Sequence, residues 1–169
     1  KEILNEEFNK DYFKKIEEKI KEDKKNWITI YPEEKNIFAA FEKTDFKDLK
    51  VVIIWQDPYH QRWQAQGFCF SVPNWFKLPP SLKNIYKELN NSLGIDNWSN
   101  WDLTSWTKEW VFLLNASLTV QESKPMSHAK IWWEIFTDNI IKHISDKKSD
   151  VIFLLWWWFA QSKKNLIDQ

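Results

Sequence analysis

Three short, continuous apolar runs constrain the fold of this chain more than any other feature of its sequence. The runs are VVII at 51–54, VFLL at 111–114 and VIFLL at 151–155, and polar or aromatic residues end each of them. Because such short runs are apolar on both faces, they are typical of strands buried in a parallel sheet. Helical patterns separate the runs, so the sequence predicts an α/β fold, a three-layer αβα sandwich with a central parallel sheet.

Three segments have the spacing of helices that are apolar along one face. The first predicts one amphipathic surface helix near the start of the chain, with apolar positions Phe8, Tyr12, Phe13, Ile16 and Ile20. The second follows two prolines, and Ser81 is its expected N-cap. The third contains Ile135, Ile140 and Ile144, and Ser127 is its expected N-cap. Serine is preferred at helix N-caps because its hydroxyl accepts a bond from a free backbone N–H group.

Length and charge limit the classes of function. The chain has 169 residues and a mass of 20.6 kDa, which predicts a single domain over residues 1–169. Its 24 Lys and Arg balance 24 Asp and Glu. This balance excludes the chain-wide basic character of many nucleic-acid-binding proteins, so any contact with phosphate groups needs a local patch or backbone amides.

The sequence also predicts a cytoplasmic protein that makes no membrane contact. The first 25 residues are charged throughout, unlike a signal peptide. The longest apolar run, 151–160, is well short of the ~20 residues that span a bilayer. A lone cysteine, Cys69, cannot form an internal disulfide, which favours a reducing compartment. Its two phenylalanine neighbours predict a buried, inert thiol.

Polar side chains follow two of the predicted strands. Gln56, Asp57 and His60 come after the first strand, and Asn115 follows the second. Parallel sheets bind ligands at the carboxyl ends of their strands, so these residues are candidates for a site. Asp57 either positions a water molecule for reaction or makes a hydrogen-bonded turn with Pro58. Asn115 either reads the amide edge of a ligand or belongs to a strand-end turn.

The remaining candidates are aromatic or imidazole groups. Phe70 either stacks on a nucleic-acid base or packs in the core. The three histidines, His60, His128 and His143, lack the spacing of metal ligands, and the chain has no glycine-rich phosphate motif. The sequence therefore predicts neither a metal nor a cofactor.

Five segments follow one another along the chain. The first three are QDPYH at 56–60, GFCFSV at 67–72 and LPPSLKNIYKEL at 78–89. The fourth consists of LLN at 113–115 and LTV at 118–120, and the fifth of LW at 155–156 and AQ at 160–161. Together they resemble the uracil-DNA glycosylase family, of the family 1 type, from about residue 28 to the last residue. The resemblance implies hydrolysis of the N-glycosidic bond of deoxyuridine in DNA, which starts base-excision repair. The base must first be flipped out of the duplex stack.

The resemblance also implies roles for seven residues. Asp57 is the expected catalytic residue, which orients the attacking water and stabilises the sugar cation. Four residues are expected to bind uracil: Gln56, Tyr59, Phe70 and Asn115. Among these, Phe70 stacks on the base, Asn115 reads its amide edge, and Tyr59 excludes the methyl group of thymine. Two further residues are expected to bind DNA phosphates: His60 and Ser81.

The expected partners follow from the same resemblance. They are uracil-containing DNA, single- or double-stranded, and an inhibitor protein that mimics DNA, and the chain itself is expected to be a monomer. Two alternatives stay open. The first is a catalytically dead DNA-binding remnant, and the second is a related glycosylase with another base preference.

The sequence departs from the family at its end. The family's fourth strand is followed by a loop that contains His-Pro-Ser, and this loop is expected beyond Gln169. Its histidine polarises the uracil carbonyl as the leaving anion forms. We therefore expect the domain to lack its C-terminal part and the last strand of the sheet, and the fragment to have little or no activity.

The chain also departs from the family in its glycines. It contains 2 Gly and 13 Trp, whereas average usage predicts about 12 Gly. Tryptophan stands at eight family glycine positions: 27, 55, 63, 75, 101, 110, 132 and 157. Trp106, Trp133 and Trp156 match family tryptophans, and Trp98 and Trp158 are unassigned. One hypothesis is that UGA codons of the gene specify glycine. The rival is that these indoles are present, in which case Trp55 blocks the uracil pocket.

Overall fold

A computed structural model describes residues 2–168, which form seven α-helices and five strands. The helices are α1 (Glu2–Phe8), α2 (Asp11–Lys25), α3 (Ala39–Lys43), α4 (Pro80–Leu93), α5 (Thr104–Lys108), α6 (Trp133–Lys147) and α7 (Trp158–Gln161). The strands are β1 (Ile30–Tyr31), β2 (Val51–Trp55), β3 (Val111–Asn115), β4 (Val120–Gln121) and β5 (Ile152–Leu154). Short 3-10 turns cover Glu34–Asn36, Phe46–Asp48 and Lys164–Leu166.

The centre of the fold is a parallel sheet in the order β3-β2-β5. Ile53 of β2 pairs with Leu113 on one side and with Leu154 on the other. The three predicted strands are therefore confirmed, with the third one shorter than its apolar run. β1 and β4 form a separate antiparallel pair, which the sequence did not predict.

Helices cover the sheet and complete the core. Leu82 and Tyr86 of α4 are fully buried, and so are Phe136 and Ile141 of α6. The α/β fold is thus confirmed, because helices that alternate with parallel strands pack against the sheet. Among residues 2–168, no helix is long and apolar enough to cross a bilayer.

The single N-terminal helix predicted from the apolar spacing is wrong. α1 ends at Phe8, and α2 begins at Asp11 after Lys10, whose backbone is extended. The Asn9 side chain donates a hydrogen bond to the Asn5 carbonyl, at 2.7 Å. Asparagine competes in this way for backbone groups and so favours helix ends over helix interiors.

Both predicted serine N-caps are also wrong. Pro79 is the N-cap of α4, and Ser81 lies inside its first turn. The first helical residue is Pro80. Proline is well suited to this position because its φ is already helical and because an N–H group there would have no partner in the helix. α6 begins at Trp133, and the Ser127 hydroxyl accepts a bond from the backbone N–H of Gln121 instead.

Four tryptophans have a left-handed backbone, with φ between 57° and 73°: Trp27, Trp63, Trp110 and Trp132. All four are among the positions at which the resemblance implies glycine. Trp27 follows α2 as the left-handed residue of a Schellman motif, with its N–H bonded to the Lys24 carbonyl and that of Ile28 to the Asp23 carbonyl. Glycine is the usual residue at this place in the motif, because it has no Cβ.

Candidate active site

The strand ends bring the predicted polar residues together. Trp55, the last residue of β2, pairs with Asn115, the last residue of β3. Beyond this pair the two loops stay joined, because the Ser117 N–H donates to the Gln56 carbonyl at 2.9 Å. The prediction that the two loops share one edge of the sheet is confirmed, since parallel strands of equal register end at the same level.

Asp57 is held by a backbone amide from a distant loop. Its Oδ2 accepts a hydrogen bond from the Met126 N–H at 2.7 Å. Burial raises the pKa of the Asp57 carboxyl, while the Met126 bond and the nearby His60 imidazole act in the opposite direction. The carboxyl group is therefore half-buried with one oxygen fixed, which leaves the other oxygen free to contact a water molecule.

Asn115 is buried, with 4% of its surface exposed. Its Oδ1 is buried and accepts no hydrogen bond within the described part of the chain. Buried polar atoms are nearly always paired, because an unpaired one costs about 1–3 kcal/mol. The amide is thus prepared to accept a bond from a group outside the chain.

The Phe70 ring is buried beside the indoles of Trp55 and Trp156. Phe70 is only 2% exposed, and the Tyr59 hydroxyl donates to its carbonyl at 3.5 Å. The ring centroid of Trp55 lies 4.7 Å from that of Phe70, and the Trp156 centroid lies 5.9 Å from it. Trp55 in turn packs edge-on against Trp157, at 4.8 Å. The ring that was expected to stack on uracil is therefore covered by tryptophan.

The two expected phosphate ligands, His60 and Ser81, lie on different elements, one in the loop after β2 and the other in α4. The His60 carbonyl accepts a bond from the Ser123 N–H at 2.9 Å, and its Nδ1 is buried without a partner in residues 2–168. Ser81 lies on α4, and no described hydrogen bond joins it to the other six candidates. Cys69 is fully buried, and burial raises its thiol pKa, so the predicted buried thiol is confirmed.

Two contacts of this site were not predicted from the sequence. The Met126 N–H that holds Asp57 is a backbone group, so no side-chain motif in the sequence predicts this hydrogen bond. Trp156 was matched to a family tryptophan with no contact assigned to it, yet its ring lies beside Phe70. Both contacts join segments that lie far apart in the chain, so periodicity carries no signal for them.

Comparison with known proteins places the chain in a family. The model of the uracil DNA glycosylase superfamily matches residues 41–164. The uracil-DNA glycosylases of Borreliella burgdorferi and Fusobacterium nucleatum are 53% and 49% identical to this chain, over 99% of its length. The match spans 76% and 74% of those two proteins.

Solved structures agree with this result. The crystal structure of mimivirus uracil-DNA glycosylase superposes with a TM-score of 0.93 at 28% identity, over 99% of this chain and 62% of the viral one. A mimivirus UNG variant solved in complex with UGI gives a TM-score of 0.94. The chain thus spans less than two thirds of these viral chains and about three quarters of its bacterial relatives. The resemblance inferred from five sequence segments is confirmed, and the chain belongs to the uracil-DNA glycosylase superfamily.

Proposed function

We propose that this chain hydrolyses the N-glycosidic bond of deoxyuridine in DNA and releases uracil. The observation that carries the proposal is the Oδ1 of Asn115 at the carboxyl end of β3, which is buried and accepts no hydrogen bond from residues 2–168. Uracil presents an N3–H donor beside a carbonyl acceptor, and an asparagine side chain matches this edge with two hydrogen bonds. A bound uracil therefore satisfies the unpaired oxygen, whereas a buried acceptor with no ligand lowers stability.

Asp57 supplies the hydrolytic step. Its carboxylate orients a water molecule toward C1′ and stabilises the positive charge that develops on the sugar. The C1′–N1 bond breaks, and its electron pair leaves with uracil. The water oxygen then bonds to C1′, and its proton passes to Asp57. The N1 anion of uracil takes up a proton from solvent, and Asp57 returns its proton to solvent. The Met126 N–H keeps the carboxylate in one orientation through this sequence.

Phe70 and Tyr59 select the base. The Phe70 ring stacks on uracil, and Tyr59 lies beside it to exclude the methyl group of thymine. Gln56 contributes to the same pocket from the end of β2. Stacking requires that the Trp55 indole be absent from the face of Phe70, so glycine at position 55 is expected to raise this activity.

Binding to DNA uses local contacts. Two residues are assigned to phosphates: His60, whose Nδ1 has no partner among the described residues, and Ser81 in the first turn of α4. Backbone amides add to these contacts. The target nucleotide is flipped out of the stack. We further propose that this chain acts as one monomeric, cytoplasmic domain. The complexes of mimivirus UNG with UGI support an inhibitor protein as a further partner.

The experiment that tests this proposal uses the chain extended by the family's C-terminal His-Pro-Ser loop. It measures uracil release from an oligonucleotide with one deoxyuridine, with a thymine oligonucleotide as control. We expect Trp55→Gly to release uracil at least about tenfold faster than the unmodified chain, since it uncovers the stacking ring. Adding Asp57→Asn should abolish that gain. Trp75→Gly is the matched control, because Trp75 is exposed and does not contact Phe70.

The covered ring also favours a second function, that of a DNA-binding remnant without activity. If Trp55→Gly binds the oligonucleotide but releases no uracil, the remnant is correct and the glycosylase proposal fails. Release of thymine or of another base at a comparable rate would point instead to a glycosylase with a different preference.

A further inference from the structure

A buried charged cluster lies at the end of α2. The Oδ2 of Asp23 accepts hydrogen bonds from the Gln121 side chain at 2.8 Å and from the His128 Nε2 at 2.9 Å. Its Oδ1 forms an ion pair with Lys19 at 2.8 Å. Both Asp23 and His128 are fully buried. Burial of a carboxylate costs free energy unless partners surround it, so this cluster needs a reason to exist.

The charge states of the cluster follow from its contacts. Burial opposes ionisation of Asp23, yet the bonds from Lys19, Gln121 and His128 hold its pKa below the usual range. Burial lowers the pKa of His128, so its ring is neutral. The Nε2–H then donates to Asp23, and Nδ1 accepts from the Thr119 hydroxyl at 2.7 Å. This hydroxyl also accepts from the Trp133 indole N–H, so the tautomer is determined by the surrounding core.

The two side chains that bind the Oδ2 of Asp23 lie on either side of one loop. Gln121 precedes residues 122–127, which we call the clamp loop, and His128 follows it. One carboxylate oxygen therefore ties both ends of the clamp loop to α2. Within this loop, Ser123 and Met126 have left-handed backbones, with φ of 58° and 60°. Such residues persist only where their surroundings hold them.

The clamp loop donates two backbone N–H groups to the loop that follows β2. Met126 donates to the Asp57 carboxylate at 2.7 Å, and Ser123 donates to the His60 carbonyl at 2.9 Å. These contacts come from the two left-handed residues of the clamp loop. Asp23 is thus linked to Asp57 by hydrogen bonds to both ends of the clamp loop, by the backbone of that loop, and by the Met126 N–H.

We propose that Asp23 is a positioning residue for the reaction, which holds the clamp loop in place so that the Met126 N–H fixes the Asp57 carboxylate. The inference rests on the catalytic role of Asp57 in the proposed function. Misplacement of a catalytic group by about 1 Å lowers rates by about a hundredfold, so a remote anchor of this kind affects turnover without touching substrate.

The anchor also affects the ionisation of Asp57. Two groups that face the carboxyl favour its charged form, the Met126 N–H and the His60 imidazole. If the Met126 bond weakens, the pKa of Asp57 rises, because a bond to the carboxylate form is lost. The reaction needs the carboxylate, so the acid limb of the rate against pH moves to higher pH.

The chain has one methionine, Met126, which makes the proposal directly measurable. Protein labelled with 15N-methionine gives one internal amide resonance, whose chemical shift follows the ionisation of Asp57 through the hydrogen bond. Loss of this pH dependence in Asp57→Asn assigns the titration. In Asp23→Asn we expect the midpoint to rise and hydrogen exchange of the Met126 amide to accelerate about tenfold. Glu22→Gln is the matched control, since exposed Glu22 also pairs with Lys19, at 3.0 Å, but does not contact the clamp loop.

A second variant keeps the test decisive if Asp23→Asn does not fold. Gln121→Ala removes one of the two arms and should shift the midpoint and the exchange rate in the same direction by a smaller amount. Folded Gln121→Ala with an unchanged midpoint and exchange rate would overturn the proposal. Uracil release is measured separately, where we expect kcat to fall with KM unchanged. Absence of release from every variant counts against the proposed function, whereas the Met126 resonance still decides whether the anchor exists.

Discussion

The turn after α2 and the core at the start of α6 each contain a tryptophan, but the first is exposed and the second is buried. Trp133 is 1% exposed, donates its N–H to the Thr119 hydroxyl, and packs against Phe13 and Phe136 with ring centroids 6.0 Å away. Trp27 is 94% exposed and has a φ of 57°. The core uses the area and the polar N–H of an indole, while the turn uses neither and bears the steric cost of a Cβ.

The two glycines of the chain show what such turns require. Gly94 ends α4 with a φ of 67°, the same value as Trp110 after α5. At Gly67, an added Cβ would lie 1.9 Å from the Asn36 carbonyl oxygen, so only glycine fits. The left-handed tryptophans therefore occupy backbone positions of the kind that glycine fills elsewhere in the molecule. This agreement supports the hypothesis that UGA codons of the gene specify glycine.

The largest effect is expected at the buried tryptophan. Trp133→Gly should lower the free energy of unfolding by about 3–5 kcal/mol, because it leaves a cavity and removes one of the two hydrogen-bond partners of the Thr119 hydroxyl. Urea denaturation followed by circular dichroism measures the change. A loss below about 1 kcal/mol would mean that the core does not depend on this indole and would erase the contrast with Trp27.

A gain in stability, instead of a loss, is expected at the turn after α2. Trp27→Gly should raise the free energy of unfolding by about 1 kcal/mol, because it relieves the left-handed strain of the Schellman motif. Trp27 is the clearest choice among the four sites, since Trp63 and Trp132 lie under the Arg62 and Lys15 cations. The same denaturation experiment applies, and a destabilised Trp27→Gly would contradict the comparison.

Trp75→Gly is the control for this gain. Trp75 is 70% exposed and also stands at a family glycine position, but it is not among the left-handed residues of the described chain. Its replacement should change stability by less than about 0.5 kcal/mol. An equal gain at both positions would assign the effect to removal of exposed indole, and backbone strain would no longer be the explanation.

The codons test the hypothesis without any change to the protein. We expect UGA at the left-handed positions 27, 63, 110 and 132 and at position 55, with UGG at 106, 133 and 156. UGG at every position would refute the hypothesis and leave Trp55 as a true cover of Phe70.

Much of the site was predictable from local patterns, and the errors have common causes. Apolar runs located all three sheet strands, and the polar residues after them predicted that Asp57 and Asn115 share one edge. The N-terminal helix and the Ser81 cap were wrong because Asn9, Pro79 and Pro80 outweighed the apolar spacing. The Ser127 cap was wrong because its hydroxyl accepts a bond from the Gln121 N–H instead. The Asp23 to His128 bond joins residues 105 positions apart, and such a pair leaves no local signal.

By itself, the sequence determined the parallel sheet, the family and the identity of the candidate catalytic residues, because apolar periodicity and short motifs are local properties of a chain. Only the tertiary structure decided that Met126 holds Asp57, that Trp55 covers Phe70, and that four tryptophans bear a left-handed backbone. Each of these depends on the distance between atoms that folding alone brings together, or on a dihedral angle imposed by the elements on either side.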